Sequence, residues 1–284
     1  MPPVRSFALM FETSPGLIGA GTRQIETRSS HAQPETRNQV ILALPAYNEA
    51  GAIGGLLDAA RDVLASLDHH EGRIVVVDDG SADGTAGIVR AFRAPFPVEV
   101  VQHEKNKGLG PAILTSLRAA IERSRSDDDV IVNMDADNTH PPHTILAMIE
   151  ALDGGADVVI ASRYRKGSRQ VGVPFKRRLL SWGARWLFTW KLRLPGVRDY
   201  TCGFRAYRVG TIRRAFAKHG DRLITRAGFA CTDEILVNLA YLEPRPRIQE
   251  VPFVLRYDRK RGASKLELFK TVWETLKMLM RHDK

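Results

Sequence analysis

The chain has 284 residues, of which 44% are hydrophobic and 26% charged, and its formal net charge is +10. This length suits one large α/β domain or two small ones, and the composition is that of a folded globular protein. Two distant cysteines, Cys202 and Cys231, exclude a disulfide framework and a zinc-binding pattern. The positive charge predicts an anionic partner, such as a phosphate, a nucleic acid or an acidic membrane.

The N-terminal residues 1–38 lack sustained periodicity and are rich in Ser, Thr, Pro, Gln and Gly, which predicts a mostly disordered tail. We expect the folded domain at 39–264 and an amphipathic helix at 265–284. The chain contains neither a signal-peptide pattern nor an apolar run of 18 residues. These features predict a cytoplasmic protein, bound peripherally to the cytoplasmic face of a membrane.

Short apolar runs alternate with helical patterns from residue 40 onwards. The runs predict five strands, at Val40–Leu44, Arg73–Val77, Val98–Gln102, Val130–Met134 and Ala156–Ala161. Helical spacing predicts helices at Ala52–Leu67, Thr85–Phe92, Pro111–Arg123 and Thr144–Leu152. Continuous β-branched runs indicate strands covered on both faces. The fold class is therefore α/β, with a Rossmann-like, mostly parallel central sheet flanked by helices.

Polar side chains follow four of the predicted strands. Ligands bind at the carboxyl ends of the strands in sheets of this kind, so these residues are expected to share one site. Asp78 or Asp79 can offer a carboxylate to a base or ribose, although a plain polar turn has the same pattern. Glu49 can orient a nucleotide or simply cap its helix. The four segments are Pro45-Ala46-Tyr47-Asn48-Glu49, Asp78-Asp79-Gly80-Ser81, Asp135-Ala136-Asp137 and Ser162-Arg163.

The stretch "NMDADNTHPP" places two carboxylates, Asp135 and Asp137, two residues apart. Alternate residues of extended chain point the same way, so both can converge on one cation. Two close like charges repel unless a cation lies between them, and oxygen ligands suit Mg²⁺ or Mn²⁺. A polar turn is the alternative. His140 is either a further ligand or, as we favour, structural, and Pro141-Pro142 is expected to end the extended segment.

The second half of the chain is strongly basic. Between Arg163 and Arg226 there are 18 Lys and Arg residues against two acids, Asp199 and Asp221. This imbalance favours a phosphate-binding surface over a merely solvated one. Within it, Trp182, Trp186 and Trp190 lie four residues apart, on one face of a predicted helix at Arg177–Arg193. Three roles are open for that helix and for the C-terminal helix: packing on the domain, contact with a membrane surface, or binding to a membrane-anchoring partner.

Three signatures, "PAYNE", "VVVDDGSADGT" and "MDADNTHPP", together resemble the family 2 glycosyltransferases of the GT-A fold. Three later segments, "ASRYRKGS", "DYTCGFRAYR" and "VPFVLRYDRKRGASKL", are similar to the polyprenol-phosphate (dolichol-phosphate) mannose synthase subgroup. The resemblance covers residues 40–266 and implies inverting transfer of a hexose. The implied donor is a nucleotide sugar, GDP-mannose, the acceptor is a polyprenyl phosphate, and the cofactor is Mg²⁺ or Mn²⁺.

The resemblance also implies roles for individual residues. The donor nucleotide would contact Pro45, Ala46, Tyr47, Glu49, Asp78 or Asp79, and the segment Asp135-Ala136-Asp137. The metal would be held by Asp135, Asp137 and Thr139. Arg163 and Arg259 would act in catalysis on donor or acceptor phosphates, with Lys265 nearby, because guanidinium pairs well with phosphate oxygens.

Some features leave the acceptor open. Asn138 stands where the subgroup usually has an apolar residue, and "SRYRKGSRQ" lacks a second glycine. A hydroxyl acceptor on a small molecule, glycan or protein would need a carboxylate base. Asp199 is the first candidate, although pairing with a nearby arginine is its favoured role. A nucleic-acid partner is disfavoured, because the strand-end carboxylates would repel its phosphates.

Overall fold

The computed structural model describes residues 37–192, 194–226, 228 and 230–259. Nine strands lie in this part of the chain: β1 Asn38–Ala46, β2 His70–Asp78, β3 Val98–Gln102, β4 Val130–Asn133, β5 Val158–Ser162, β6 Arg169–Val171, β7 Arg205–Arg208, β8 Ile248–Pro252 and β9 Val254–Arg256. It also contains seven α-helices: α1 Ala50–Ala65, α2 Thr85–Ala91, α3 Leu109–Arg123, α4 Thr144–Asp153, α5 Phe175–Leu192, α6 Val209–His219 and α7 Ala230–Ala240. Two 3₁₀ turns, Gly220–Leu223 and Tyr257–Arg259, complete it.

Seven strands form one sheet in the order β3-β2-β1-β4-β7-β5-β8. All pairs are parallel except those of β7, which runs antiparallel to both β4 and β5. The predicted α/β class with a mostly parallel central sheet is confirmed, and the five predicted strands and four predicted helices lie within a few residues of the observed ones. The first described strand, β1, begins at Asn38, and the predicted tail at 1–38 stays a prediction.

The first strand shows why these residues form a covered central sheet. Val40, Leu42 and Leu44 are buried in one core cluster with α1 and α4, whereas Ile41 and Ala43 are buried in the other with α3 and α6. Side chains alternate across a strand, so an uninterrupted apolar run fills both layers at once. Full burial of one such Leu or Ile side chain stabilises the fold by roughly 1.5–3 kcal/mol.

The sequence patterns missed the elements of the second half, apart from α5. The strand β7 is short and reads "RAYR", and it is a strand only because it fills the gap between β4 and β5. Every residue of α7 is buried, including the polar Asp233, Glu234 and Asn238, so no solvent-exposed face separates polar from apolar positions. The strands β6 and β9 pair in parallel as a separate two-stranded sheet.

The carboxyl ends of the parallel strands lie along one edge of the sheet, which we call the strand-end rim. It is marked by Ala46, Asp78, Asn133 and Ser162, the last residues of β1, β2, β4 and β5. The antiparallel β7 begins at the same edge, because Arg205 pairs with Asn133. The predicted C-terminal helix at 265–284, including Lys265, lies outside the described residues.

Candidate active site

Two loops of the rim are fastened to each other. The backbone N–H of Asn48 donates to Oγ of Ser81 at 2.8 Å, and the N–H of Ala82 donates back to Oδ1 of Asn48 at 3.0 Å. The N–H of Glu49 donates to Oγ1 of Thr85 at 2.9 Å. Asn48 has a left-handed backbone with φ of 55°, which Asn tolerates better than most residues. The "SADGT" stretch, which reads as a turn, therefore fixes the segment Pro45-Ala46-Tyr47-Asn48-Glu49.

Asp78 is a buried carboxylate at the end of β2, with no exposed surface. Its Oδ1 accepts from the N–H of Ser81 at 3.2 Å. Its Oδ2 is buried and has no hydrogen-bond partner among the described residues. A buried acceptor without a donor is costly, and such atoms concentrate where a ligand supplies the missing donor. Asp78 is thus suited to the predicted contact with a base or ribose.

Asp79 fastens a neighbouring loop, and its predicted contact with the donor stays a prediction. Its Oδ1 lies 2.7 Å from Nδ1 of His103 and accepts from the N–H of Lys107 at 2.9 Å. Its Oδ2 accepts from the N–H of Gly108 at 2.8 Å. Both oxygens are therefore occupied by the loop between β3 and α3. The sequence does not show which of Asp78 and Asp79 makes these loop contacts, although adjacent side chains at a strand end face opposite ways.

Gly80 allows the same loop to lie against the end of β2. Its φ is +72°, and a Cβ built on it would lie 2.6 Å from the backbone carbonyl carbon of Lys105. No other residue type fits both the left-handed backbone and this approach. The glycine in "DDGS" therefore has a packing reason that is independent of any ligand.

The two aspartates that follow β4 lie in a turn, not in extended chain. The strand ends at Asn133, and Asn138 has a left-handed φ of 60°. Oδ1 of Asp137 accepts from both the N–H and the Oγ1 of Thr139, at 3.1 and 2.7 Å. The extended-chain reason for convergence was therefore wrong. The turn nevertheless gathers Asp137 and Thr139, and the Asp135 side chain remains 33% exposed beside them.

His140 supports this turn from beneath. Its Nδ1 accepts from the N–H of Asp135 at 3.3 Å, and its ring stacks on Phe204 at 5.1 Å and meets the edge of Phe253 at 5.8 Å. These contacts give His140 the structural role that we favoured over that of a metal ligand. The expectation for Pro141-Pro142 was wrong, because β4 ends well before them and their carbonyls accept the first hydrogen bonds of α4.

Arg163 forms a buried ion pair with Asp199. Its Nε and Nη2 donate to the two carboxylate oxygens at 2.8 and 2.6 Å, and its backbone N–H donates to Oδ2 at 2.8 Å. Burial alone would raise the pKa of Asp199, but the Arg163 charge and hydrogen bonds outweigh it and lower that pKa. Asp199 thus has the favoured pairing role. Asp199 compensates the charge of Arg163, and the predicted contact of Arg163 with a phosphate stays a prediction.

Arg259 lies at the end of the 3₁₀ turn that follows β9 and is exposed. The N–H of Arg256 donates to the carbonyl of Thr139 at 2.9 Å, which ties β9 to the aspartate turn. Arg259 is three residues further along the chain, so it is kept near that turn. Its contact with a phosphate stays a prediction.

A model of the family described as "Glycosyl transferase family 2" matches residues 42–216. A dolichol-phosphate mannosyltransferase of Pyrococcus furiosus is 35% identical over 86% of this chain and 63% of that protein. An undecaprenyl-phosphate mannosyltransferase of Micrococcus luteus is 33% identical over 80% of this chain and 87% of that protein. The chain belongs to glycosyl transferase family 2.

Solved structures extend the likeness at the level of the fold. A glucosyl-3-phosphoglycerate synthase of Mycobacterium tuberculosis matches with a TM-score of 0.62 and 21% identity, over 87% of this chain and 80% of that one. The predicted membership of family 2 and the predicted likeness to polyprenol-phosphate mannose synthases are confirmed. The chain spans less than two thirds of the length of the Pyrococcus protein.

Much of the positive charge in this family 2 chain is used inside the fold. Arg205 is fully buried, and it donates to the carbonyls of Thr232 and Tyr200 at 2.5 and 2.6 Å. Arg208 donates to the carbonyls of Asp128 and Leu152. The excess of cations between Arg163 and Arg226 therefore overstates the free positive surface. The sequence does not separate these structural arginines from the others, because their partners are distant along the chain.

The helix α5 exposes a continuous apolar stripe. Phe188, on its other face, is fully buried and stacks on Tyr200 with ring centroids 5.4 Å apart. The exposed members lie at helical spacing and are between 52% and 75% exposed: Phe175, Leu179, Trp182, Trp186 and Trp190. The tryptophan face therefore does not pack on the described part of the domain, so the first of the three predicted roles of this helix is wrong for that face. Each helix described in this chain is too short or too polar to cross a bilayer.

Proposed function

We propose that this family 2 chain transfers a mannosyl group from GDP-mannose to a polyprenyl phosphate. What carries the proposal is the likeness to relatives named for mannosyl transfer to dolichol phosphate and undecaprenyl phosphate. A relative of Methanococcus voltae, named as a UDP-N-acetylglucosamine–dolichyl-phosphate N-acetylglucosaminyltransferase, is 26% identical. The names of these three relatives share a polyprenyl phosphate acceptor but differ in the sugar transferred.

The donor nucleotide would lie on the fastened loops of the rim. The buried Oδ2 of Asp78 can accept one of the N–H or O–H groups that a guanosine offers. The segment Pro45-Ala46-Tyr47-Asn48-Glu49 lies beside it, held by the hydrogen bonds of Asn48 and Glu49. A site whose loops are already fixed loses little conformational entropy when the ligand binds.

The residues of the aspartate turn fit a divalent cation. Asp135, Asp137 and Thr139 offer oxygen ligands, which Mg²⁺ and Mn²⁺ prefer. Within the described chain there is no preformed group of three or more acidic, histidine or cysteine ligands. Mg²⁺ typically takes one or two protein carboxylates and completes its coordination with substrate phosphates. When bound, the cation would stabilise the charge that develops on the leaving diphosphate.

The transfer step needs little acid–base chemistry from this chain. An oxygen of the acceptor phosphate attacks the anomeric carbon, the bond to the donor diphosphate breaks, and GDP leaves with that electron pair. The family resemblance implies inversion at this carbon. The attacking oxygen is already anionic at neutral pH, so positioning matters more than a base. Arg259, exposed close to the aspartate turn, is the proposed cation for the diphosphate.

The lipid acceptor places the reaction at a membrane surface. We propose that the stripe on α5 lies in the headgroup region, because exposed tryptophans favour that interface. This position would make the protein peripheral on the membrane face that holds the nucleotide sugar, the cytoplasmic face. A membrane-anchoring partner is the alternative occupant of the same stripe.

A donor screen tests the proposal. The purified chain would receive radiolabelled GDP-mannose, UDP-glucose or UDP-N-acetylglucosamine with polyprenyl phosphate, with and without Mg²⁺ or Mn²⁺. Label is expected in the organic phase with GDP-mannose and a divalent cation. Label that remains in the aqueous phase with every donor would contradict lipid transfer. Organic-phase label from a UDP sugar alone would keep the acceptor and replace the donor.

A further inference from the structure

A phosphate acceptor at the rim needs cations whose charge is not already compensated. Arg163 is paired with Asp199, and Nε of Arg165 lies 3.0 Å from the fully buried carboxylate of Glu250. Pairing of this kind leaves little net positive charge for a dianionic ligand. The two arginines nearest the end of β5 are therefore not sufficient by themselves.

Arg185, on α5, is a cation of this region that forms no ion pair with a described residue. Its guanidinium carbon lies 5.0 Å from the ring centroid of Tyr164, two residues beyond the end of β5. Among the described residues, no carboxylate lies within ion-pair distance of it, and its side chain is partly exposed. A guanidinium on an aromatic face keeps its charge and its outward N–H donors.

Tyr164 brings Arg185 and Arg163 to one place. The guanidinium carbon of Arg163 lies 5.7 Å from the same ring centroid. The helix that carries Arg185 is itself anchored, because Phe188 stacks on Tyr200 with an angle of 9° between the rings. Tyr200 directly follows the Asp199 that pairs with Arg163. The spacing of the two arginines is thus set by rigid contacts at both ends.

We propose that Arg185 binds the phosphate of the polyprenyl acceptor, with the face of Tyr164 holding its guanidinium at the rim. This inference rests on the proposed function. Trp182 and Trp186, whose rings meet edge to face at 6.0 Å, flank Arg185 along the chain and belong to the exposed stripe. A phosphate on Arg185 therefore lies where an isoprenyl chain can continue along α5. Arg185 is a binding residue and does not exchange a proton.

Calorimetric titration with geranyl phosphate, a short soluble acceptor, tests this role without a membrane. Arg185→Ala is expected to raise the Kd for geranyl phosphate roughly tenfold or more, the size of a lost charge-assisted hydrogen bond. Arg185→Lys should recover part of the affinity, because it keeps the charge but not the planar fork. Tyr164→Phe should bind like the wild type, whereas Tyr164→Ala should weaken binding. The Kd for GDP should not change in any variant.

Arg178→Ala is the matched control, since Arg178 is an exposed arginine of the same helix. It should bind geranyl phosphate within about twofold of the wild type, as expected for an exposed, solvent-screened charge about two helical turns away. Equal losses in Arg178→Ala and Arg185→Ala would overturn the inference and indicate a diffuse charge effect. Wild-type affinity in Arg185→Ala would also overturn it, with the proposed function intact. A wild-type chain that binds no geranyl phosphate would overturn both.

Discussion

Asp199→Asn tests the pair that links the end of β5 to the basic segment. The substitution keeps the shape of the side chain but removes its charge. Asp199 is fully buried and accepts three hydrogen bonds from Arg163. The variant leaves the Arg163 cation without its counter-charge in the protein interior.

The expected loss in the free energy of unfolding follows from the burial of the ion pair. Breaking a buried ion pair by removing one partner costs about 3–5 kcal/mol. The Arg163 side chain keeps 13% of its exposure, and the amide of Asn still accepts a hydrogen bond. Both features favour the lower end, so the free energy of unfolding should fall by about 3 kcal/mol at pH 7.

Urea unfolding followed by circular dichroism measures this change. Asp221→Asn is the matched control, because it removes an acid from the same segment whose side chain is 77% exposed. That control should cost less than about 1 kcal/mol. A loss in Asp199→Asn no larger than in Asp221→Asn would refute the reasoning.

The pH dependence provides a second readout of the same pair. The pKa of Asp199 is lowered in the folded state, because the Arg163 pairing outweighs the opposing effect of burial. Its stabilisation is therefore fully present above the unfolded pKa of about 3.9 and is lost as the pH falls through the lower folded value. The gap in stability between the wild type and Asp199→Asn should be constant from pH 7 to about pH 5. It should shrink only in acid below about pH 4.

Three further substitutions test other parts of the account. Gly80→Ala should lower the melting temperature more than Gly84→Ala. Both glycines have a positive φ, which costs an alanine roughly 1–2 kcal/mol, but of the two only Gly80 has backbone atoms within 3 Å of the added Cβ. Equal shifts in melting temperature would contradict the close approach at Gly80. Asp78→Asn should weaken GDP binding while the urea midpoint stays within a few tenths molar of the wild type, and unchanged GDP affinity would remove Asp78 from the donor site. Trp186→Ser should reduce recovery with anionic vesicles, whereas Tyr241→Ser, at a 40% exposed aromatic outside α5, should not; equal recovery would exclude the stripe as the membrane contact.

The first half of the fold was predictable because each element has its own local signal. The runs at Val40–Leu44 and Val130–Met134 are apolar on both faces, and turn residues mark their ends. The second half was not, because its elements depend on partners distant in sequence. The strand β7 is defined by β4 and β5 on either side, and α7 is buried all round.

The candidate site was likewise predictable in part: its location was, but the roles of its individual residues were not. Its location at the strand ends follows from the alternation of strands and helices, and the candidate residues that follow β1, β2, β4 and β5 lie along the rim. Individual roles depend on three-dimensional pairing. Asp78 and Asp79 are adjacent and chemically identical, yet Asp78 has an oxygen without a partner among the described residues, whereas Asp79 fastens a loop. The pairing of Arg163 with Asp199 spans 36 residues, and no local pattern marks it.

The central claim is that a single hexosyl group passes to the phosphate of a lipid. Mass spectrometry of the lipid product, with the released nucleotide measured in the same reaction, tests it most directly. The expected product is a polyprenyl phosphate that has gained one hexosyl residue and no phosphate, with an equal amount of GDP released. A lipid that has gained a hexose phosphate with release of GMP, or a lipid of unchanged mass, would contradict it.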